Sequence, residues 1–395
     1  MKITGTHLGI LVIALYFSAQ ACYANDIYIS QTGDNIDMTI VQDGENNVIS
    51  SLTGNTTKAT INGNNTSTTY TQTGDNNDIG LYMYAGNGQQ TITQTGNTNY
   101  AISDCHGNNC SATIIQNGNN NVAVSEFGNG GDDDQTMTIT QDGDYNAAAM
   151  EANGDDNTIV VDQDGDYNDV GGITSAPITG DNNILSIKQD GDYMTFEGHL
   201  IGSDNNLTSY QGGGANNSFI RVSTVGNNNT GDLRQGKKID NSVDGNDSGN
   251  HEQYITVAGD DNSITTSQVN SAGASSDHHM AHIITGDDNT LSHLQYADGK
   301  KQGFIEITGD NNDVELEQRN YSTHFADIVL TGDDHTVYGE QRGGMNGAHS
   351  ITLDLTNSGG AYDISTIQNS ANAQTYSLTG SCVTLGGCAV TVTQY

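Results

Sequence analysis

Four histidines lie close together in the sequence, and imidazole is the side chain that most readily binds a metal or transfers a proton near neutral pH. They are His278, His279, His282 and His293. In an extended strand, His278 and His282 would share one face and His279 would point away. No carboxylate lies at an offset typical of a metal ligand. The pattern therefore favours solvated loop histidines over a metal centre.

Motifs for catalysis are missing from the sequence. It contains no G-x-S-x-G, H-E-x-x-H or phosphate-binding G-x-x-x-x-G-K-S/T pattern. With 48 Asp and Glu residues, some carboxylate pair will always have a catalytic spacing, so that spacing carries no information. A polysaccharide-cleaving β-helix enzyme would need basic residues around a cleft, and the chain is too uniformly acidic for that. We expect no catalytic residues and no enzymatic activity.

Short arcs rich in Asp and Asn supply the hard oxygen atoms that Ca²⁺ prefers. They read Gly-Asp-Asp-Asn or Gly-Asp-Asn-Asn. The glycine-rich nonapeptide of calcium-bound β-rolls is absent. We expect loosely bound Ca²⁺ at most, no other cofactor and no dedicated metal site. The candidate positions follow an arc glycine directly: Asp260, Asp287, Asp310 and Asp333.

Acidic residues dominate the charge of the chain. Its 395 residues include 48 Asp and Glu against 11 Lys and Arg, which gives a net charge of −37 at pH 7. Nucleic acid is therefore excluded as the main partner, because phosphate binding needs clustered Lys and Arg. Hydrophobic residues make up 33%, too few for one large globular core. Pro177 is the only proline, which indicates that most backbone N–H groups are needed as donors.

Residues 1–24 have the pattern of a signal peptide. Lys2 precedes an apolar stretch from Leu8 to Phe17 that is too short to span a bilayer, and we favour cleavage after Ala24. Acylation at Cys22, as in a lipoprotein, is the less favoured alternative. No later segment is apolar enough to cross a membrane, so we expect a secreted protein.

Export makes disulfides the favoured state of the four remaining cysteines. They form two local pairs, Cys105 with Cys110 and Cys382 with Cys388, and each pair would close a turn. Free thiols are the alternative. A zinc site is disfavoured because the C-x4-C and C-x5-C spacings are unusual for one.

An internal repeat of about 22 residues organises the chain. Glutamines followed two residues later by Gly recur with separations of 22, 22, 25, 22, 26 and 22. Around four of them the longer pattern Q-x-G-x-x-N-x-A/V appears. The glutamines are Gln72, Gln94, Gln116, Gln141, Gln163, Gln189 and Gln211; the four copies add Gly96, Gly118, Gly143 and Gly165, and Asn99, Asn121, Asn146 and Asn168.

A second series, G-x-x-N, lies about half a period away and is the clearer one toward the C-terminus. It includes Gly259, Gly286, Gly309 and Gly332, the last with His335 in the Asn position. One period of 22–27 residues therefore holds two strands and two Gly/Asn arcs.

Between the arcs, polar and apolar residues alternate as in a half-buried strand. Met137, Ile139 and Gln141 share one face, and Thr138 and Thr140 the other. These features predict an all-β fold, a β-solenoid of about 16 rungs at about 23 residues each, where a rung is one turn of the solenoid. Inward Gln and Asn side chains would bond to the same residue one rung away, and glycines would form the turns.

The repeat resembles the curlin repeat of curli, the extracellular amyloid-like fibres of Gram-negative bacteria. The resemblance rests on Q-x-G-x-x-N-x-A and its 22-residue spacing, and is clearest between Gln72 and Gln211. It implies a pilus-like fibre subunit that polymerises with copies of itself. It also implies an outer-membrane secretion pore and a surface nucleator as partners. The chain departs from the family in its length, acidity and cysteines.

The repeat suggests three parts after the signal peptide. Residues 25–230 form the curlin-like solenoid and residues 252–395 continue it in degenerate form. Residues 231–251 interrupt the period, either as a kink or as an eroded rung. The function that we predict is a secreted structural protein that self-assembles rung on rung into extracellular fibres for cell adhesion and biofilm matrix. The alternative is a monomeric β-solenoid adhesin or other surface-binding protein.

Overall fold

A computed structural model describes residues 11–15 and most of residues 25–394. Within those residues every regular element is a β-strand, and no helix is long and apolar enough to cross a membrane. The chain forms two compact units, residues 1–187 (the first unit) and 188–395 (the second unit). The ranges left out are 28, 33–34, 51–58, 82, 84–86, 106–108, 127–134, 172–175, 213–217, 237–250, 270–278, 297–301, 310–311, 320–323, 333–334, 343–348, 357–361, 370–373 and 379–387.

In the first unit, one sheet holds long strands that repeat once per rung and pair in parallel. Thr and Ile dominate these strands, as expected of residues that fit a pleated, half-buried surface. The strands are Leu11–Leu15, Asp37–Asp43, Ser67–Thr73, Gln89–Thr95, Ser111–Asn117, Thr136–Asp142 and Thr158–Asp164, and the strand Ile184–Asp190 contains the boundary between the two units.

A second sheet of the first unit holds the return strands of the same rungs, which are shorter and also parallel. They are Asp26–Ile27, Val48–Ser50, Asp78–Leu81, Tyr100–Ser103, Val122–Glu126, Ala147–Asn153 and Asp169–Val170, with Ala176–Thr179 also paired to Ala147–Asn153. A small third sheet pairs Ile29–Gln31 with Ala59–Ile61.

The second unit has the same organisation. Its first sheet contains Asn206–Gly212, Thr230–Gln235, Ser263–Val269, Thr290–Tyr296, Asp313–Arg319, His335–Arg342, Tyr362–Asn369 and Cys388–Gln394. Its return strands are Thr195–Glu197, Leu200–Ile201, Ser218–Arg221, Thr224–Val225, His251–Glu252, Val257–Ala258, Ile305–Glu306, His324–Thr331, His349–Thr352, Leu355–Thr356 and Gln374–Ser377.

The core lies between the two sheets of each rung. Met137, Ile139 and Gln141 are buried and Thr138 and Thr140 are half-buried, as the alternation predicts. In-register parallel pairing places like residues above one another because every rung enters the sheet at the same point of the repeat. The all-β solenoid is thus confirmed.

Two of the periods are longer than the 22–27 residues predicted from the sequence. Gln42 and Gln72 are 30 residues apart, and Gln235 and Gln268 are 33 apart. The extra residues lie in the connections, so the strands keep their register. Within the described residues, 16 long strands pair in this register.

Candidate functional site

One buried column of glutamines runs through the first unit, and we call it the Gln ladder. Gln72 donates from Nε2 to Oε1 of Gln94 at 3.0 Å, and Gln94 donates to Gln116 at 2.9 Å. The series continues to Gln141 at 2.9 Å and from there to Gln163 at 2.8 Å. Identical amides can bond in this way only if the rungs stack in register, because each side chain needs its copy one rung away.

The second Nε2 hydrogen of Gln72, Gln94, Gln116, Gln141 and Gln163 crosses the core to the return strand. Gln94 donates to the carbonyl of Asp78 at 3.1 Å, and Gln116 to that of Tyr100 at 3.1 Å. Both donor hydrogens of a fully buried amide are thereby satisfied. The Gln ladder thus joins neighbouring rungs and also joins the two sheets of the core.

In the second unit the Gln ladder changes direction. Gln189 donates to Gln211 at 2.9 Å, and the bonds run forward as far as Gln268 to Gln295 at 3.3 Å. Farther along, Gln341 donates backward to Gln318 at 3.2 Å. Between these two runs, Nε2 of Gln295 donates to the carbonyl of His279 at 3.3 Å.

A parallel column of asparagines uses a different bond from the one expected. The backbone N–H of Asn121 donates to Oδ1 of Asn99 at 3.1 Å, and that of Asn146 to Oδ1 of Asn121 at 2.9 Å. Nδ2 of Asn121 donates to the carbonyl of Gly143 at 2.7 Å. Asn168 occupies the equivalent place, its N–H donating to Oδ1 of Asn146 at 3.0 Å. The expected bond between side-chain amides is present elsewhere: Nδ2 of Asn77 donates to Oδ1 of Asn47 at 3.1 Å, and Nδ2 of Asn262 to Oδ1 of Asn229 at 2.9 Å.

The arc glycines are needed chiefly because the next rung passes close to them. A Cβ on Gly118 would lie 2.0 Å from the carbonyl oxygen of Gly143, at a φ of +119°. The predicted turn glycines with left-handed φ are Gly96, Gly118, Gly143, Gly165, Gly259 and Gly332. Gly286 and Gly309 have no left-handed φ, but their Cβ atoms would still lie 2.9 Å from Gly309 O and 2.0 Å from Gly332 O.

Carboxylates that follow arc glycines also stack. Oδ1 of Asp287 accepts the backbone N–H of Asp260 at 2.8 Å, and Oδ1 of Asp260 accepts that of Asn227 at 2.6 Å. Asp310 and Asp333, the other predicted cation positions, lie outside the described residues. Asn makes the same bond in other rungs, as Asn119 does with the N–H of Asn97 at 3.0 Å. The arc therefore needs an acceptor oxygen at this position, and a charge is not required.

Tyrosine occupies a left-handed position that most other arcs give to Asn or Asp. Tyr145, Tyr167 and Tyr193 each have a φ of +59°. The rings of Tyr145 and Tyr167 stack with centroids 4.8 Å apart and planes 3° from parallel, and about half of each side chain is exposed. Stacking of the two rings stabilises the fold by about 0.5–1.5 kcal/mol, and a left-handed φ at a residue other than glycine costs about 1–2 kcal/mol. The stacking therefore offsets much of the strain.

The cysteine pair Cys105 and Cys110 forms a disulfide, and both residues are buried. The pair closes the connection between Tyr100–Ser103 and Ser111–Asn117. Cys388 begins the strand Cys388–Gln394, but Cys382 lies outside the described residues. The second predicted disulfide is therefore not described.

The expectation of solvated loop histidines is wrong for two of the four. His282 and His293 are 1% and 0% exposed, and their ring centroids are 5.1 Å apart. Burial lowers the pKa of His282 to about 3, with a further contribution from His279, and burial also lowers the pKa of His293. His278 lies outside the described residues. Burial alternates along residues 279–284, and His282 lies on the buried face. The spacing of the histidines in the sequence did not show which face of this segment would be covered.

The rungs around Gln141 and Gln163 lie in the part of the chain that matches a known protein family. Residues 131–191 carry curlin associated repeats. A family model of the curlin associated repeat matches residues 131–165 and 154–191, which overlap and contain ladder residues Gln141, Gln163 and Gln189. The resemblance is thereby confirmed over these residues. No curated protein matches the chain.

Gln42 is a ladder residue that the sequence pattern did not include. It donates to Gln72 at 2.7 Å and is followed two residues later by Gly44, as Gln141, Gln163 and Gln189 are followed by glycine within residues 131–191. The separation of 30 residues from Gln72 concealed it. The Q-x-G pattern without a fixed period would have found it.

Proposed function

We propose that this protein is a secreted structural subunit that polymerises rung on rung into extracellular curli-like fibres for cell adhesion and biofilm matrix. The observation that carries the proposal is the in-register Gln ladder, in which each rung presents the hydrogen-bonding groups that the next rung needs. An equivalent rung of another copy would meet the same groups at the end of the stack. The curlin associated repeats support the same reading.

An edge strand is available for this addition in the second unit. Within the described residues, Cys388–Gln394 is the last strand of its sheet; it pairs with Tyr362–Asn369 and places Gln394 in register with Gln368. Exposed edges of parallel strands are templates for pairing with another chain. An outer-membrane secretion pore and a surface nucleator complete the proposed assembly route, and no enzymatic step belongs to it.

Electron microscopy and seeded growth of the purified protein test the proposal. We expect fibres, and growth without a lag after addition of fragmented fibres. Thr391→Pro, which removes a backbone donor that points away from Tyr362–Asn369 and toward the open side of the sheet, should slow growth, while Thr391→Val keeps the donor and should not. A protein that stays monomeric at all concentrations, with or without seeds, would instead support the monomeric adhesin.

A further inference from the structure

The rung that contains His282 and His293 has a core unlike that of its neighbours. Both imidazoles are buried, and their planes meet at 89° with centroids 5.1 Å apart. Met280 is fully buried and lies two residues before His282, on the same inward face of the extended segment. Two imidazoles and a thioether therefore project into one rung interior.

Most of the ring nitrogens of this pair are left without partners. Nδ1 and Nε2 of His282 and Nδ1 of His293 are buried and have no hydrogen-bond partner within the described residues. Nε2 of His293 lies 3.3 Å from Nε2 of Gln295. A buried polar atom without a partner costs about 1–3 kcal/mol, so packing alone gives no reason for histidine here.

Neighbouring rungs show that apolar side chains fit both positions. The pairing of Ile284 with Val257, and of Ile283 with the strand Ile305–Glu306, places His282 between Ile255 and Ile305. His293 has Leu316 as its register partner on one side and Thr266 on the other. Apolar side chains therefore fit the positions that His282 and His293 occupy in this rung.

Space for the second imidazole comes from the next rung. A Cβ on Gly303 would lie 2.2 Å from Cε1 of His293, so any larger residue at position 303 would displace the ring. The Gln ladder also changes direction beside this rung, because Gln268 donates forward to Gln295 and Gln341 donates backward to Gln318. The rung is thus adapted around the two histidines.

We propose that His282 and His293, with Met280 as a third ligand, form a binding site for Cu(I). Neutral imidazole and thioether are ligands that Cu(I) prefers, and they place no negative charge beside the ion. Within the described residues, no group of three or more His, Cys, Asp or Glu side chains is placed to hold a metal. Burying a doubly charged ion without carboxylates is much more costly than burying a singly charged one, which favours Cu(I) over Zn²⁺.

Anaerobic titration with Cu(I), in competition with a coloured Cu(I) chelator, tests the site on the purified protein. We expect tight binding of a single ion. His282→Ile and His293→Leu should abolish it, and both should fold because the same hydrocarbon residues occupy these columns in adjacent rungs. His279→Asn, which changes a neighbouring half-buried histidine, should bind as the wild type does.

X-ray absorption at the copper edge of the wild-type protein gives a readout that does not depend on folding of a variant. We expect imidazole nitrogen and one sulfur around the ion, and loss of the sulfur signal in Met280→Leu. The proposal is overturned by absence of tight binding, by unchanged binding in His282→Ile and His293→Leu, by a spectrum without imidazole, or by displacement of Cu(I) by equimolar Zn²⁺.

Discussion

Gln116 donates its side-chain Nε2 to Oε1 of Gln141, 2.9 Å away in the next rung, and also to the carbonyl of Tyr100 at 3.1 Å. The same Gln116 accepts from Gln94 through Oε1. One buried amide thus joins three rungs and two sheets. Because Gln94, Gln116 and Gln141 are fully buried, their side-chain amides depend on the ladder for hydrogen bonds.

Replacement of Gln116 by Leu should lower the free energy of unfolding by about 2–5 kcal/mol. The substitution leaves a donor on Gln94 and an acceptor on Gln141 buried without partners. Denaturant unfolding measures the loss. Gln89→Leu, at an exposed position of the preceding rung's strand, is the matched control and should change stability by less than about 0.5 kcal/mol. Equal effects of the two substitutions would show that the ladder contributes little.

Gly118→Ala should destabilise the first unit by about 3 kcal/mol or more, because the new Cβ would lie 2.0 Å from the carbonyl oxygen of Gly143 at a φ of +119°. Gly88→Ala is the comparison: its Cβ would meet Cys105 Sγ at 3.2 Å and Met83 at 3.3 Å. We expect that change to cost about 1 kcal/mol or less. Chemical denaturation of both variants distinguishes close approach of the rungs from a general effect of added volume.

Stacked carboxylates should make fibre growth dependent on cations. Unit charges about 4.8 Å apart repel by about 0.9 kcal/mol in water, and salt screens this repulsion. Asp287→Asn keeps the acceptor for the N–H of Asp260 and removes one charge. We expect it to grow faster than wild type in low salt and to respond less to millimolar Ca²⁺. Asp37→Asn removes an exposed charge outside the arcs. If the two variants respond alike, net charge and not the stacked arcs controls growth.

Tyr145→Asn should leave stability within about 1 kcal/mol of wild type. Loss of stacking on Tyr167 is offset by relief of a left-handed φ that Asn tolerates and that Asn120 adopts one rung earlier. Tyr145→Val loses the stack and keeps the strain, because a β-branched residue fits this φ poorly. We expect it to be less stable than Tyr145→Asn by about 1–2 kcal/mol. Thermal unfolding measures the difference, and equal losses in both variants would show that the stacked ring alone, and not the left-handed φ, determines stability at this position.

Alkaline unfolding should depend on Tyr70. This residue is fully buried between Ile40 and Ile92 of adjacent rungs, and burial raises its pKa well above the usual value. Since the unfolded chain ionises near pH 10 and the folded chain resists ionisation, stability is full below about pH 10 and falls as the pH rises.

Tyr70→Phe should remove this part of the alkaline loss and leave stability at pH 7 unchanged or slightly higher, because the hydroxyl has no partner within the described residues. Unfolding free energies measured from pH 8 to 11.5 test it. Tyr145→Phe removes an exposed hydroxyl and should follow the wild-type curve. An unchanged slope in Tyr70→Phe would mean that the ring is ionised in the folded state.

The sequence predicted much of the fold because the repeat carries the geometry. The spacing of Gln94, Gln116 and Gln141 predicted their stacking, and alternation predicted that Met137 and Ile139 are buried. The backbone bonds of Asn99, Asn121 and Asn146 were not predicted, because the choice between an amide partner and a backbone partner depends on where the chain lies within about an ångström. His282 was assigned to solvent because its segment has no repeat motif.

By itself the sequence determined the all-β class, the parallel register and the identity of the ladder residues, since a fixed period places like side chains on like positions of every rung. Only the tertiary structure decided which groups meet across the core. Gly303 and His293 are ten residues apart with nothing in the pattern to link them, yet a Cβ on one would collide with the ring of the other. Contacts between a strand and the return strand of the next rung depend on the depth and shape of the core, and these follow from packing rather than from the period.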